Sequence, residues 1–194
     1  MKFIKKFILS LDAINKSLNV LEINKFIKSL IKLKKNKGRL FILGVGGSAG
    51  NASHAVNDFR KLCEIESYSP IDNVSEITAR TNDEGFDTIF QAYLRTSNFN
   101  KNDAILILSV GGGSLKRKVS INLINAIKYA KKKNSLILSI VGKKDGYAAL
   151  NSKHSIIISP KNKKLLTPIS ESYQSIIWHL IVSHPELQKN KTKW

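Results

Sequence analysis

The sequence has little cysteine and no long apolar stretch. Cys63 is the single cysteine among 194 residues, so the chain can form no internal disulfide and has no cysteine cluster with metal-ligand spacing. No apolar run approaches the roughly 18 residues that a membrane-spanning helix needs. The opening stretch "MKFIKKFILSLDAI" does not read as a signal peptide, because Lys5 and Lys6 interrupt its apolar run and Asp12 ends it. We therefore expect a cytoplasmic protein with no membrane partner.

Carboxylates are scarce as well. The chain has 14 Asp and Glu against 32 Lys and Arg, which gives a net charge of +18. Most of the excess is lysine, and the arginine-rich patches interleaved with aromatics that are typical of nucleic-acid-binding surfaces are missing. Two lysine runs, "KLKKNKGR" (32–39) and "KYAKKKN" (128–134), fall at predicted helix ends, where cations are favourable. We expect solvated lysine faces and no nucleic-acid partner; a positive field that gathers an anionic substrate is the alternative.

Helical stretches alternate with short apolar runs along the chain. These runs are rich in β-branched residues and are too short and too uniformly apolar for amphipathic helices, so they predict buried strands. Buried strands separated by helices indicate a parallel sheet covered on both faces, an α/β three-layer αβα sandwich of the flavodoxin-like kind. We predict one domain over residues 1–194, with an N-terminal helical segment at 1–36 and a basic tail at 185–194.

The predicted elements also locate the site. The predicted strands cover 39–45, 103–110, 135–142 and 154–159, and the predicted helices cover 1–36, 52–62, 114–132 and 167–184. Thr167 is the predicted N-cap of the last helix, with Pro168 at its first position. In such sheets ligands bind beyond the carboxyl ends of the strands, so we expect the chemistry in the loops after Val45, Val110 and Val141.

Two of these loops are rich in glycine and serine. "GVGGSAGN" (44–51) follows the first predicted strand, and "SVGGGS" (109–114) follows a later one. Glycine lets the backbone approach a ligand closely, and a helix N-terminus favours an anion. The pair suggests a phosphate with an attached polar chain, although glycine-rich turns also occur for tight geometry alone. A dinucleotide-binding fingerprint is another alternative, weakened because the third glycine is displaced and the available carboxylates, Glu64 and Glu66, lie in a polar stretch.

Candidate metal ligands occur on two predicted helices. His54 and Asp58 stand four residues apart after the first loop, which puts both on one helix face. Imidazole and carboxylate are common ligands of divalent metals, although such a pair is also common as a surface contact. Glu171 and His179 are polar residues in an apolar last helix, where they must be used or satisfied; a satisfied core histidine is the alternative for His179. Along a straight helix these two lie about 12 Å apart, too far for one ion.

Four stretches together resemble a known family. "GVGGSAGNASHAVNDF", "NDEGF", "SVGGGS" and "TPISESYQSIIWH" are similar in order and spacing to the SIS-domain sugar-phosphate isomerases, and most closely to the phosphoheptose isomerases, over about residues 15–183. The resemblance implies the SIS fold and a divalent metal, zinc in first place, held by His54, Asp58, Glu171 and His179. It implies catalytic roles for Asp58, Glu171 and His179, and substrate contacts from Gly46, Gly47, Ser48, Asn82, Asp83, Ser109, Gly111 and Ser114. It further implies a homotetramer with active sites at subunit contacts and with the N-terminal helix in the packing.

Several positions depart from the family pattern. Asp58 stands where the family has glutamate, Glu171 where it has glutamine, and Val45 where it has asparagine, and the second loop lacks two hydroxyl side chains. Leu62 replaces an arginine that usually follows the glutamate. Every ligand position still holds a metal-capable side chain, and the glycines leave amide donors for a phosphate.

The activity implied by the resemblance is the aldose–ketose isomerisation of sedoheptulose 7-phosphate, for heptose precursors of lipopolysaccharide or capsule. Such a reaction moves a proton between adjacent carbons through an enediol, while a metal polarises the carbonyl. Asp58 or Glu171 would take the proton and His179 would return one, and the sequence leaves the roles of base and ligand open. A non-catalytic SIS module that binds a sugar phosphate as regulator or scaffold is the alternative.

Overall fold

A parallel β-sheet forms the centre of the structure, which is a computed structural model and describes residues 1–193. Within these residues the sheet has five strands in the order β2-β1-β3-β4-β5. The strands are β1 (Leu40–Gly44), β2 (Ser67–Tyr68), β3 (Ala104–Ser109), β4 (Leu136–Val141) and β5 (His154–Ile157). β1, β3 and β4 consist almost entirely of buried residues, because helices cover both faces. The predicted αβα sandwich with a central parallel sheet is confirmed.

The strand register brings the glycine loops to one edge of the sheet. Gly44, the last residue of β1, pairs with Leu108 in β3. Ser109, the last residue of β3, pairs with Val141, the last residue of β4. All three strands therefore end together, and the loops that follow them meet at the carboxyl edge, where parallel α/β sheets bind their ligands.

Residues 1–193 contain eight α-helices. They are α1 (Lys2–Ser17), α2 (Val20–Lys35), α3 (Gly47–Cys63), α4 (Val74–Glu84), α5 (Ile89–Thr96), α6 (Ile121–Lys132), α7 (Tyr147–Asn151) and α8 (Leu166–Val182). The Asn19 side chain caps α2 by accepting from the Glu22 amide at 3.0 Å, and lysines occupy the last turn. Across the described chain, no helix combines the length and apolar character needed to cross a membrane.

The core divides into one apolar cluster on each face of the sheet. Leu40 and Ile42 of β1 point to the face covered by α2, α3 and α8. Phe41 and Leu43 point to the opposite face, covered by α5 and α6. This alternation follows from the two-residue period of a strand, and it places α3 and α8 in the same layer.

Several details of the predicted elements are wrong, and α7 and the first five residues of α3 are not predicted. No element is predicted between residues 63 and 102, where the structure has β2, α4 and α5. Residues 1–36 form two helices, which break between Ser17 and Val20. The helix predicted over 114–132 begins only at Ile121, because Ser114 pairs with Val119 in a short antiparallel turn. Thr167 does not cap α8. The helix begins one residue before it, at Leu166, with Leu165 as the N-cap, since both leucines are buried.

Candidate active site

The first glycine loop turns β1 into α3. Gly46 precedes the helix with a φ of 64°, a left-handed conformation that glycine adopts without strain. Gly44 has no room for a side chain, since a methyl group there would lie 2.2 Å from the Ser48 carbonyl oxygen. Gly46 and Gly47 are exposed at the carboxyl edge, whereas Ser48 is only 1% exposed. A ligand at the carboxyl edge would therefore contact the backbone of Gly46 and Gly47, whereas the Ser48 side chain is buried beneath them.

Helices α3 and α8 lie side by side and run in the same direction. Near their start the Asn51 Nδ2 donates to the Glu171 carbonyl oxygen at 2.9 Å and to Gln174 Oε1 at 3.0 Å. Near their end the Cys63 thiol donates to the Val182 carbonyl oxygen at 3.6 Å. These contacts fix which residues of the two helices face one another, and so they determine the composition of the site between them.

His54, Asp58 and His179 meet between these two ends, and we call these three residues the metal group. His179 Nε2 lies 3.6 Å and His54 Nε2 lies 3.9 Å from Asp58 Oδ2. All three ligand atoms fall within 4.8 Å of one another. The Trp178 ring packs beside both histidines, with its centroid 4.7 Å from that of His54 and 3.5 Å from that of His179. Asp58 is buried and both imidazoles are exposed, so the group opens to solvent.

Neighbouring groups orient two members of the metal group. His179 Nδ1 lies 2.8 Å from the Ser175 carbonyl oxygen. Because a carbonyl only accepts, Nδ1 carries the proton, and the lone pair of a neutral His179 is on Nε2, which faces Asp58. Asn57 Nδ2 donates to Asp58 Oδ1 at 2.9 Å, which leaves Oδ2 directed to the histidines. Partners of this kind hold metal ligands in the orientation that a bound ion needs.

The metal group fits a small divalent cation. Two ligands about 2.1 Å from a tetrahedral zinc ion are about 3.4 Å apart. The corresponding separations here, 3.6 and 3.9 Å, are close to that value. Two imidazole nitrogens and one carboxylate make a set of three, and catalytic zinc sites commonly have three protein ligands and one open position. The structure therefore brings together three of the four ligands that the resemblance implies.

Glu171 lies apart from the metal group. Its carboxylate packs against the first glycine loop, where a methyl group on Gly47 would lie 2.6 Å from Glu171 Oε2. Gly47 and His54 are separated by about 10 Å along α3, and Glu171 and His179 by about 12 Å along α8. Within one chain the metal group thus contains three of the four expected ligands, and the helix rise places Glu171 at the far end of the contact between α3 and α8.

The loop after β3 forms a small polar cavity of about 180 Å³. Ser109 Oγ accepts a hydrogen bond from the Gly112 amide at 3.0 Å, and Gly112 and Gly113 have φ values of 70° and 85°. The cavity is lined by Gly111, Gly113, Ser114, Arg117, Val119, Lys143, Asp145 and Gly146. It therefore combines predicted phosphate-binding residues with two cations, Arg117 and Lys143, and one carboxylate, Asp145.

Asn82 and Asp83 lie at the end of α4, away from the groups described so far. The Asn82 Nδ2 donates to Asp83 Oδ1 at 2.7 Å. No hydrogen bond joins either residue to another predicted site residue in the described part of the chain. None of the residues of α4 is buried, and the helix packs mainly on α5 and on the turn at Pro70–Asp72. Within a single chain, neither Asn82 nor Asp83 therefore lies beside the other residues that are predicted to contact substrate.

A family model for the SIS domain matches residues 2–142. The chain belongs to the SIS domain family. This SIS domain is 26% identical over 184 residues to the phosphoheptose isomerase of Helicobacter pylori strain P12, with 91% of this chain and 90% of that protein covered. It is 29% identical over 154 residues to the lincomycin biosynthesis protein LmbN of Streptomyces lincolnensis, which covers 76% of this chain but only 56% of LmbN. Among solved structures, phosphoheptose isomerase GmhA of Neisseria gonorrhoeae superposes with a TM-score of 0.78 at 21% identity, covering 93% of this chain and 94% of that one. This last likeness is one of fold.

The candidate site contains residues that the sequence patterns do not predict. Lys143 comes directly after the third predicted strand, in a loop where a ligand is expected. Its position in the sequence is therefore enough to indicate a ligand contact. Arg117 falls inside the helix predicted over 114–132, so the sequence does not indicate that it lies in a loop at the cavity. Asn57, Ser175 and Trp178 act through the packing of α3 on α8, and no sequence pattern reveals that contact.

Proposed function

We propose that this SIS domain is a cytoplasmic sugar-phosphate isomerase that interconverts sedoheptulose 7-phosphate and D-glycero-D-manno-heptose 7-phosphate. The observation that carries the proposal is the convergence of His54, Asp58 and His179 into one ligand group, in a chain whose β3 loop makes a cationic cavity. The relatives named phosphoheptose isomerase support the choice of a heptose phosphate. The product serves as a heptose precursor of lipopolysaccharide or capsule.

The substrate phosphate binds in the loop after β3. The amides of Gly111 and Gly113 supply donors, the Gly112 amide being bonded to Ser109 Oγ, and Ser109 and Ser114 supply hydroxyls. Arg117 and Lys143 add two positive charges at the same cavity. Hydrogen bonds from cations to phosphate are about twice as strong as neutral ones. These cations compensate for the two hydroxyl side chains that the loop lacks.

The metal group would hold a divalent cation, zinc in first place, which would serve the reacting end of the substrate. When bound, such a cation polarises a carbonyl oxygen and stabilises the charge that develops on it. His179 acts as a ligand and not as an acid, because its ring proton is on Nδ1, committed to Ser175, and Nε2 has none to give. Ser48, Gly46 and Gly47 orient substrate hydroxyls at the first loop.

Glu171 is the base. Asp58 Oδ1 accepts a hydrogen bond from Asn57 and Oδ2 faces the two histidines as the third ligand of the metal group, whereas the Glu171 carboxylate accepts no hydrogen bond within residues 1–193. Glu171 takes a proton from C1 of the ketose while the C2 oxygen is protonated, which gives an enediol. Return of a proton to C2 and loss of the O1 proton gives the aldose, so the overall reaction neither gains nor loses a proton.

A second copy of the chain completes the site in a homo-oligomer, which we propose is a tetramer. Within one chain Glu171 and His179 are about 12 Å apart along α8, too far for a base and a carbonyl on adjacent carbons. On α8 beside the metal group, Ile176 and Leu180 are 49% and 43% exposed. A partner chain on this face would cover both residues and bring its own Glu171 to the metal group. Asn82 and Asp83 on the exposed helix α4 reach substrate in the same way.

Turnover of a heptose phosphate tests this function. Purified protein with measured metal content is incubated with sedoheptulose 7-phosphate, and aldose formation is followed by NMR. We expect aldose to accumulate to the same ratio that is reached when the reaction starts from the aldose. Hexose and pentose phosphates are the matched substrates, and they should turn over more slowly. Absence of turnover with every phosphosugar would contradict the isomerase, and tight binding without turnover would indicate the non-catalytic module.

A further inference from the structure

A second cavity lies at the end of the sheet opposite the candidate active site. It measures about 520 Å³. Its walls come from the end of α2, the loop before β3, the end of α6 and the start of β4, all at the amino edge of the sheet. Small-molecule sites commonly have volumes of about 300 to 1,000 Å³. The cavity is therefore large enough for a ligand, and nothing in the proposed reaction uses it.

Four lysines line this cavity. They are Lys32, Lys101, Lys131 and Lys153. Lys32 belongs to the first lysine run of the sequence and Lys131 to the second, so the fold joins two runs that are far apart in the chain. The Lys131 ammonium donates to Asn151 Oδ1 at 2.7 Å. The other three ammonium groups have no hydrogen bond or ion pair to any residue in the range 1–193, and so they are available to a ligand.

The carboxylate in the cavity wall does not offset these charges. Asp103 is 3% exposed, and it accepts hydrogen bonds from Arg39 Nε at 3.0 Å and from Arg39 Nη2 at 2.8 Å. It also accepts from the Arg39 and Asn100 backbone amides, at 3.1 and 2.9 Å. The hydrogen bond with Asp103 is the main reason that the pKa of Arg39 is raised. Asp103 and Arg39 thus neutralise each other, and the four lysines remain as unbalanced positive charge.

The remaining lining residues indicate which kind of anion fits. No aromatic side chain lines the cavity, so it has no surface on which a nucleobase or another aromatic ring would stack. Its floor is apolar, and its rim holds side-chain amides and hydroxyls that can donate hydrogen bonds. The floor consists of Leu33, Leu136 and Ile137, and the rim includes Ser29, Asn36, Asn102 and Asn134, whereas the Ser135 hydroxyl already donates to the Asn100 carbonyl oxygen at 2.8 Å. Cations and amide donors around a shallow apolar floor favour a compact, multiply charged anion.

We propose that this cavity is a second anion site, which binds a small polyphosphate group through Lys32, Lys101 and Lys153. A di- or triphosphate group presents several oxygens, and each ammonium contributes a charge-assisted hydrogen bond. The positive field of a chain with net charge +18 raises the local concentration of such anions. The site is separate from the sugar-phosphate cradle at the carboxyl edge, and it does not depend on the proposed isomerase activity.

Calorimetric titration of the full chain with inorganic triphosphate, at physiological ionic strength, tests this site. Three double variants carry the same change of charge: Lys32→Glu with Lys101→Glu in the cavity, Arg117→Glu with Lys143→Glu at the β3 loop, and Lys161→Glu with Lys164→Glu on the exposed surface. We expect the cavity pair to weaken binding by at least about tenfold and the surface pair by less than about twofold. The substituted side chains are exposed or half-buried, so all variants should fold, and circular dichroism checks this.

Each other outcome overturns the proposal. If the cavity pair and the surface pair weaken triphosphate binding equally, the affinity depends on the net charge of the protein alone and not on the cavity. Weakening confined to the Arg117 and Lys143 pair would mean that triphosphate occupies the sugar-phosphate cradle. Absence of saturable binding to the unsubstituted chain would mean that the cavity holds no such site. Heptose phosphate turnover is measured on the same variants. A failure of the second anion site can then be distinguished from a failure of the isomerase proposal.

Discussion

His179 Nε2 on α8 lies 3.6 Å from Asp58 Oδ2 on α3. The two residues come from distant parts of the chain, and they meet because α3 and α8 run in the same direction, tied by Asn51 near their start. His54, one turn before Asp58, completes the group. The same pairing keeps Glu171 at the glycine loop, so the helix contact separates the metal ligands from the carboxylate that we propose as base.

Asp58→Asn should abolish tight metal binding, because Asp58 is the central ligand and supplies the single negative charge of the metal group. We expect zinc affinity, measured by competition with a chromogenic chelator, to fall by more than about 100-fold. Asp87→Asn is the matched control, since Asp87 is exposed and lies outside the metal group. If both variants keep the affinity of the unsubstituted chain, the metal group is not the binding site.

Glu171→Gln should remove turnover and leave zinc content unchanged, because Glu171 is the proposed base and not a ligand. The expected loss in kcat is about 100-fold or more. Loss of zinc together with activity would instead return Glu171 to the ligand set. Metal analysis and turnover on the same preparation distinguish the two.

Mixed oligomers of Glu171→Gln and His54→Ala chains should regain activity that each variant lacks alone. The gain is expected because the base of one chain serves the metal group of another, so mixing restores some complete sites. A mixture of His54→Ala with Asp58→Asn is the control and should stay inactive, since both changes damage the metal group itself. Equal activities in the two mixtures would show that each site is built from one chain.

Gly47→Ala should lower activity by about 100-fold with little effect on folding. The added methyl would lie 2.6 Å from Glu171 Oε2, and the flexible side chain would swing away, which misplaces the base. Gly50→Ala is the matched control on the same helix, because a methyl there meets nothing within 4 Å. It should keep full activity and stabilise the protein by about 0.5–1 kcal/mol. Equal activities of the two variants would remove Glu171 from the reaction.

Cys63 should be inert in the folded protein. Burial raises the pKa of its thiol from 9.0 to about 11, so a disulfide reagent at pH 8 should modify it only after unfolding. Above pH 9 the unfolded thiol loses its proton and the folded one keeps it, so stability falls as pH rises through this window. Denaturant titrations should show a decline that is smaller in Cys63→Ala, by up to about 1.4 kcal/mol per pH unit. An equal pH dependence in both proteins would contradict this.

Much of the architecture follows from local pattern alone. The apolar runs that became β1, β3 and β4 are uniform because both faces of the sheet are covered, and that uniformity is visible in the sequence. β2 was missed because it has two residues, too few to show a period. The sequence predicts a helix over 114–120 because Leu115 and Val119 have helical spacing, although both are exposed in a turn.

The candidate site was predictable only in part. Helical spacing places His54 and Asp58 on one face, and a histidine in an apolar helix draws attention to His179. Which residue of α3 meets His179 depends on the offset between α8 and α3, and the hydrogen bonds of Asn51 fix this offset. Spacing along one helix correctly predicts that Glu171 and His179 of one chain are too far apart for one ion.

Solvent deuterium incorporation during heptose phosphate turnover tests the central proposal most directly. Zinc-loaded protein is incubated with sedoheptulose 7-phosphate in D₂O, and the aldose is examined by proton NMR. An enediol whose proton passes through a carboxylate open to solvent predicts aldose that carries deuterium at C2. Formation of no aldose, or of aldose that carries no deuterium at C2, by protein with its metal bound would contradict the proposed isomerase mechanism.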